Sequence, residues 1–184
     1  WNAMYIANQN SAFAGRSVYA LYQDRTDDNQ LSANSILNSS ISENVSLTAG
    51  ANFRKLRSHN HQNLLDLLGG QYFLDIDPFY TGNASQSDLN NPNRQVVEGD
   101  TYGYNYLLHA LTFDGFTQFK FTYDKADFYL AQSFSRTEYQ REGLYRNGIY
   151  ADNSFGKGER VTFENFGFKG GLTYKLNGRN YLDF

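Results

Sequence analysis

His59 and His61 flank Asn60, and on an extended strand such a pair projects from one face, where two imidazoles could hold a metal ion. Spacing fixes no third ligand. The pair therefore reads as ordinary polar residues at the base of a long loop, and no metal is assigned. Asp75 and Asp77, with Asn83 and Asp88 further on, offer oxygen ligands for calcium, yet they do not follow the spacing of a calcium-binding loop. An Asx-turn ahead of Pro78 accounts for Asp77 more simply.

Tyrosine and arginine carry the other chemistry. Tyr102, Tyr104 and Tyr106 alternate along one stretch, and Tyr145 and Tyr150 lie in another. Each ring offers a flat apolar face and a polar tip, which suits sugars, peptides or aromatic chelates, although an interfacial girdle or loop packing uses the same residues. Arg136, Arg141 and Arg146 could face an anionic ligand or the phosphates of lipopolysaccharide, and charged loops at a membrane surface are also common. The candidate ligand-binding residues are Tyr102, Tyr104, Tyr106, Arg141, Tyr145, Arg146 and Tyr150. Nothing resembles a serine elbow, a phosphate-cradling glycine loop or a zinc-hydrolase histidine pair, so the reading is non-enzymatic and without a cofactor.

The elements that must position these residues are strands. From Val45 to Arg54 the residues alternate: Val45, Leu47, Ala49, Ala51 and Phe53 on one parity, Ser46, Thr48, Gly50, Asn52 and Arg54 on the other. Phe113–Tyr123 and Val161–Leu176 repeat the pattern, with Phe166, Phe168, Leu172, Tyr174 and Leu176 opposite Asn165, Lys169, Thr173 and Lys175. Phe116 breaks the polar parity and predicts a bulge or an interfacial ring. Further strands are predicted at Arg16–Thr26, Gln30–Ile41 and Asp127–Arg141, and another starts at Tyr181. Turns fall at Thr26–Asn29, Ser42–Asn44, Asp124–Ala126 and Asn177–Gly178. Gln62–Leu68 reads as two helical turns ended by Gly69 and Gly70. Residues 1–14 carry no commitment. The connections 57–111 and 142–160 are long while those between them are short, the asymmetry of outer-membrane barrels.

Composition agrees. Of 184 residues, 17% are aromatic, with 15 Tyr and 15 Phe, a weighting that favours pleated surfaces. The mean hydropathy of -0.62 is too polar for a helical membrane protein, but a barrel, polar on one face of each strand, reconciles the two. A net charge of -3 gives no basic field for nucleic acid, and the absence of cysteine excludes a disulfide framework. Trp1–Asn10 has neither the basic start nor the apolar stretch of a signal peptide, so an exported chain of this kind is expected to be mature or a piece, and a piece is the expectation here.

Several stretches resemble the barrel of TonB-dependent outer-membrane receptors of the Bacteroidetes type, those with a carboxypeptidase-like regulatory domain. They are Asn63-Leu-Leu-Asp-Leu-Leu-Gly-Gly70, Asp75-Ile-Asp-Pro-Phe79, Asp88-Leu-Asn-Asn-Pro-Asn-Arg94, Gly99-Asp-Thr-Tyr-Gly-Tyr-Asn-Tyr106, Tyr139-Gln-Arg-Glu-Gly-Leu-Tyr-Arg-Asn-Gly-Ile-Tyr150 and Phe166-Gly-Phe-Lys-Gly-Gly171. The resemblance implies a barrel of about 22 strands around a plug, taking up a scarce nutrient with energy from TonB. About seven strands cannot close such a barrel. Residues 1–184 are therefore expected to form a partial barrel domain: all-β, an antiparallel up-and-down transmembrane β-barrel segment with long extracellular loops.

The expected location is the bacterial outer membrane. The expected partners are outer-membrane lipid and lipopolysaccharide, the rest of the receptor with its plug, TonB through that plug, and a surface lipoprotein, with no nucleic acid. The alternatives are a small complete outer-membrane barrel of structural or adhesive role and a secreted glycan-binding β-domain.

Overall fold

The computed structural model describes residues 1–184, and the chain is all-β apart from one short helix, α1 (Asn2–Gln9), and a 3-10 turn at Gly82–Ser85. The strands are β1 (Leu21–Ser42), β2 (Val45–Asp66), β3 (Phe73–Leu74), β4 (Gln95–Val96), β5 (Thr101–Thr122), β6 (Ala126–Gly143), β7 (Gly156–Lys157), β8 (Val161–Lys175) and β9 (Tyr181–Asp183). The main sheet runs β1-β2-β5-β6-β8-β9, with β7 folded back on β6, and β3 and β4 pair separately. The sheet is open, with β1 and β9 at its edges. No helix is long and apolar enough to cross a membrane, which says nothing about strands.

Three expectations are corrected. The turn at Thr26–Asn29 does not form: β1 runs through it, because these polar side chains find partners along and across the strands. Thr26 Oγ1 lies 3.1 Å from Asn60 Oδ1, and Arg25 bonds Asp27 at 3.0 Å. The helix at Gln62–Leu68 does not form either. Leu64 exchanges main-chain bonds with Asp100 and Gly99, so the run stays extended to Asp66, with Leu64 buried and Leu65 exposed. Leucine's helix propensity is a weak prior, and this cross-chain pairing overrides it. The long connection shrinks accordingly to residues 67–100, since β2 and β5 each continue for 22 residues. Residues 1–14, left uncommitted, contain α1.

Two compact units make up the chain. The first comprises Trp1–Asn29, Arg57–His109 and Gln140–Arg160. It holds α1, every long connection and the small core of Leu64, Leu67, Val96 and Tyr102, with Ala20 and Phe73 against it. Buried Asn8 fastens α1: its Nδ2 donates to the carbonyls of Tyr19, Leu67 and Leu68, and its Oδ1 accepts from the Val18 and Tyr19 amides.

The second unit comprises Gln30–Leu56, Ala110–Tyr139 and Val161–Phe184. Its short turns match the expected positions: Tyr123 N donates to Ala126 O, and Asn177 Oδ1 accepts from the Arg179 and Asn180 amides in a turn that extends to Asn180. The antiparallel register of β6 with β8 sets Phe128 opposite Leu172, Gln132 opposite Phe168 and Phe134 opposite Phe166. Directly opposed residues share a face. Phe121 stacks on Phe128 with ring centroids 4.4 Å apart, which brings β5's odd parity onto the same side. The other face is polar, with Lys175 on Asp127 at 2.7 Å, Thr173 on Asp183 at 2.6 Å and Asn52 on Asp114 at 2.7 Å.

Phe116 lies on that polar parity within the continuous strand β5. A Cβ on Gly50 would collide with its ring, so the glycine makes room for the aromatic across the strands.

Candidate functional site

The candidate residues all belong to the first unit, and the structure sorts them into different roles. Tyr102, Tyr104 and Tyr106 alternate on β5 as expected, but Tyr102 is only 9% exposed and packs edge-on against Tyr22 and Phe73. Burial first, and then Tyr22, Asp75 and Asp24, hold its hydroxyl protonated far above the ordinary tyrosine range. Tyr102 is thus spent on the core with Leu64, Leu67 and Val96.

Tyr104 donates its hydroxyl to Asp24 at 3.0 Å; burial first and this bond second push its pKa up to about 12. Its ring lies 5.8 Å from that of Tyr106, and the Arg141 guanidinium sits 5.0 Å over the Tyr106 ring. Arg141 also donates to the Ser154 carbonyl at 3.0 Å, so its position is fixed from two sides. Tyr104, Tyr106 and Arg141 are the part of the set that comes together, an aromatic and cationic surface with unspent hydrogen-bonding capacity.

Tyr145 belongs to a knot. Arg94 lies over its ring at 5.0 Å and donates to its hydroxyl at 2.8 Å, while that hydroxyl donates to Thr101 O at 2.8 Å. Arg94 also reaches the Thr101 carbonyl and Asp75, whose other oxygen accepts the Gly103 amide. Burial lowers the Arg94 pKa, but the Tyr145 hydroxyl and the Asp75 carboxylate outweigh it and leave the pKa raised. This arrangement clamps the loop 67–100 to the start of β5.

Arg146 and Tyr150 share only the loop 144–160. Arg146 Nε donates to Ala151 O, and Asn147 Oδ1 accepts from the Tyr150 amide. That loop rests on the 3-10 turn: Gly148 N donates to Gln86 O, and a Cβ on Gly148 would overlap the Asn83 carbonyl. Asp77 makes the expected Asx-turn, its carboxylate accepting Phe79 N at 2.9 Å. Asp88 does the same for Asn90 N and also accepts Arg146 N.

The histidines acquire a neighbour that spacing did not fix. His59 and His61 stack with centroids 4.1 Å apart, and Asp27 of β1 joins them, with one ligand atom from each residue within 4.8 Å of the others. His61 is 5% exposed, and its Nδ1 has no hydrogen-bond partner. Its pKa is lowered by burial first and by His59 second, against the opposing pull of Asp27. Sequence reading missed Asp27 because it assigned that residue to a turn. The third histidine, His109, pairs instead with Glu142 at 2.9 Å.

Compared with known protein-family models and with curated proteins, the chain matches none.

Proposed function

We propose that this chain is a wall-and-loop segment of a TonB-dependent outer-membrane receptor, contributing to ligand uptake without doing chemistry. The observation that carries the reading is the uncovered apolar face of β6 and β8. Phe166 is 71% and Phe168 78% exposed, and Phe134, Leu130, Leu172 and Tyr174 lie on the same face. A soluble sheet would cover such a face with a second layer, whereas lipid covers it in a barrel. From Phe166 to Leu176 the face runs about 33 Å along the strand, or about 25 Å of height at a tilt of about 40°. It ends in charge, where Arg136 bonds Glu138 at 2.7 Å and Glu164 at 3.2 Å. The opposite face, with its Lys175–Asp127 and Asn52–Asp114 bonds, suits a wet lumen.

Each long strand leaves roughly a dozen residues in the second unit, the length a tilted membrane strand needs. The long connections all fall in the first unit, where extracellular capture loops would be. The family-like stretches support the receptor over other barrels. In this mechanism the loops 67–100 and 144–160 bind the nutrient, with Tyr104, Tyr106 and Arg141 as contacts, and movement of the plug by TonB admits it.

Residues 1–184 contain no cysteine, so each introduced thiol is the only one in this segment. Single cysteines replacing Phe168, Phe134 and Asn165 are exposed to a water-soluble maleimide in native outer membranes. Protection at 168 and 134 until detergent is added, with labelling at 165, is the expected pattern. Recovery of the chain in the soluble fraction with all three positions labelled overturns the reading and favours a secreted binding domain.

A further inference from the structure

We propose that Asp27, His59 and His61 form a binding site for a divalent first-row transition ion, linking β1 to β2. Nothing in this inference depends on the membrane reading. Three residues of two adjacent strands converge, each offering one ligand atom, and all three atoms lie within 4.8 Å of one another. Ligands on a single tetrahedral ion stand about 3.4 Å apart, given bonds of about 2.0–2.1 Å. Closing the remaining gap falls to Asp27, whose side chain is half exposed. One of its oxygens bonds Arg25 at 3.0 Å, and the other stands 3.9 Å from His61 Nε2, too far for a hydrogen bond.

The second observation is the state of His61. A buried ring nitrogen without a partner is uncommon, and Nδ1 of His61 is such an atom. The Nε2 of His59 lies 2.7 Å from Asn105 Oδ1. A donor bond there leaves Nδ1 as the lone-pair nitrogen of that ring, with Asn105 holding the ring in place as partners of ligating histidines do. Two imidazoles and one carboxylate suit Zn²⁺, Co²⁺ or Ni²⁺ over the oxygen-seeking Ca²⁺ and Mg²⁺, and three protein ligands leave a coordination position open for water or a ligand group.

The test is a Co²⁺ titration of the full chain, purified in detergent without a histidine tag and stripped with chelator. The expected result is one equivalent bound, with the visible absorption of a four- or five-coordinate ion, displaced by Zn²⁺ and not by Ca²⁺. His61→Ala and His59→Gln should each weaken binding at least ~100-fold and Asp27→Asn at least ~10-fold. His109→Ala, outside the cluster, should leave binding unchanged. His61 is buried and its variant can misfold; His59→Gln and Asp27→Asn keep the test decisive. Absence of stoichiometric binding, or binding that survives both of these substitutions, overturns the proposal.

Discussion

Arg94 Nη2 and Asp75 Oδ2 meet at 2.8 Å, with the Asp75 carboxylate only 2% exposed. The pair joins the loop 67–100 to β5, because Asp75 also accepts the Gly103 amide and Arg94 also bonds Tyr145 and the Thr101 carbonyl. Removing one member of a buried ion pair strands the other's charge, a loss of about 3 kcal/mol. Asp75→Ala should therefore lower the denaturation midpoint and open the loop to protease, while Asp77→Ala, which removes only an exposed Asx-turn bond, should do neither. Limited proteolysis and denaturant titration of both variants check this.

Tyr104 sets an alkaline limit. Its folded pKa of about 12 lies above the ordinary 10.0, so the folded state favours the protonated phenol. The stability it contributes is complete below pH 10 and is lost as pH rises through about 12. The difference in unfolding free energy between the native chain and Tyr104→Phe should be flat below pH 10 and shrink above it. A difference that grows with alkali would contradict the Tyr104–Asp24 bond.

Gly50 and Phe116 should be coupled across the strands. Gly50→Ala drives a methyl group into the Phe116 ring, and overpacking of this kind costs about 1–3 kcal/mol. With Phe116→Ala in place the added methyl has room. The double variant should then be more stable than the sum of the two single effects predicts, which a double-mutant cycle measures.

The facing of β8 predicts where charge is tolerated. On the membrane reading, Phe168→Arg places a cation against lipid at a cost of about 2–4 kcal/mol, whereas Asn165→Arg on the polar face costs little. The fraction assembled in the outer membrane should fall for the first and hold for the second. Equal assembly of both variants would remove the lipid-facing assignment.

Period-two alternation made the strands legible at Val45–Arg54, Phe113–Tyr123 and Val161–Leu176, because a regular strand needs only local backbone geometry to assign its faces. The short turns were legible for the same reason: Asn and Asp carry their own turn chemistry. The polar run Thr26–Asn29 and the leucines from Leu64 to Leu68 were misread. Their conformation depends on partners far along the chain, Asn60 for Thr26 and Asp100 for Leu64. The chain's own alternation determined an all-β, two-faced sheet and the parity of its tyrosines.

Only the tertiary structure decided which tyrosines are spent on the core and which stay partly open, since the loop 67–100 buries Tyr102 while leaving Tyr104 and Tyr106 half-buried. It also brought Asp27 to His59 and His61. The cross-strand pairs Asn38–Thr48, Thr26–Asn60 and Asp24–Gln62 keep one common count along β1 and β2, and Asp27 and His59 fall on that same count. That count becomes usable only once β1 is known to be unbroken, which pairing with β2, and no local preference, establishes.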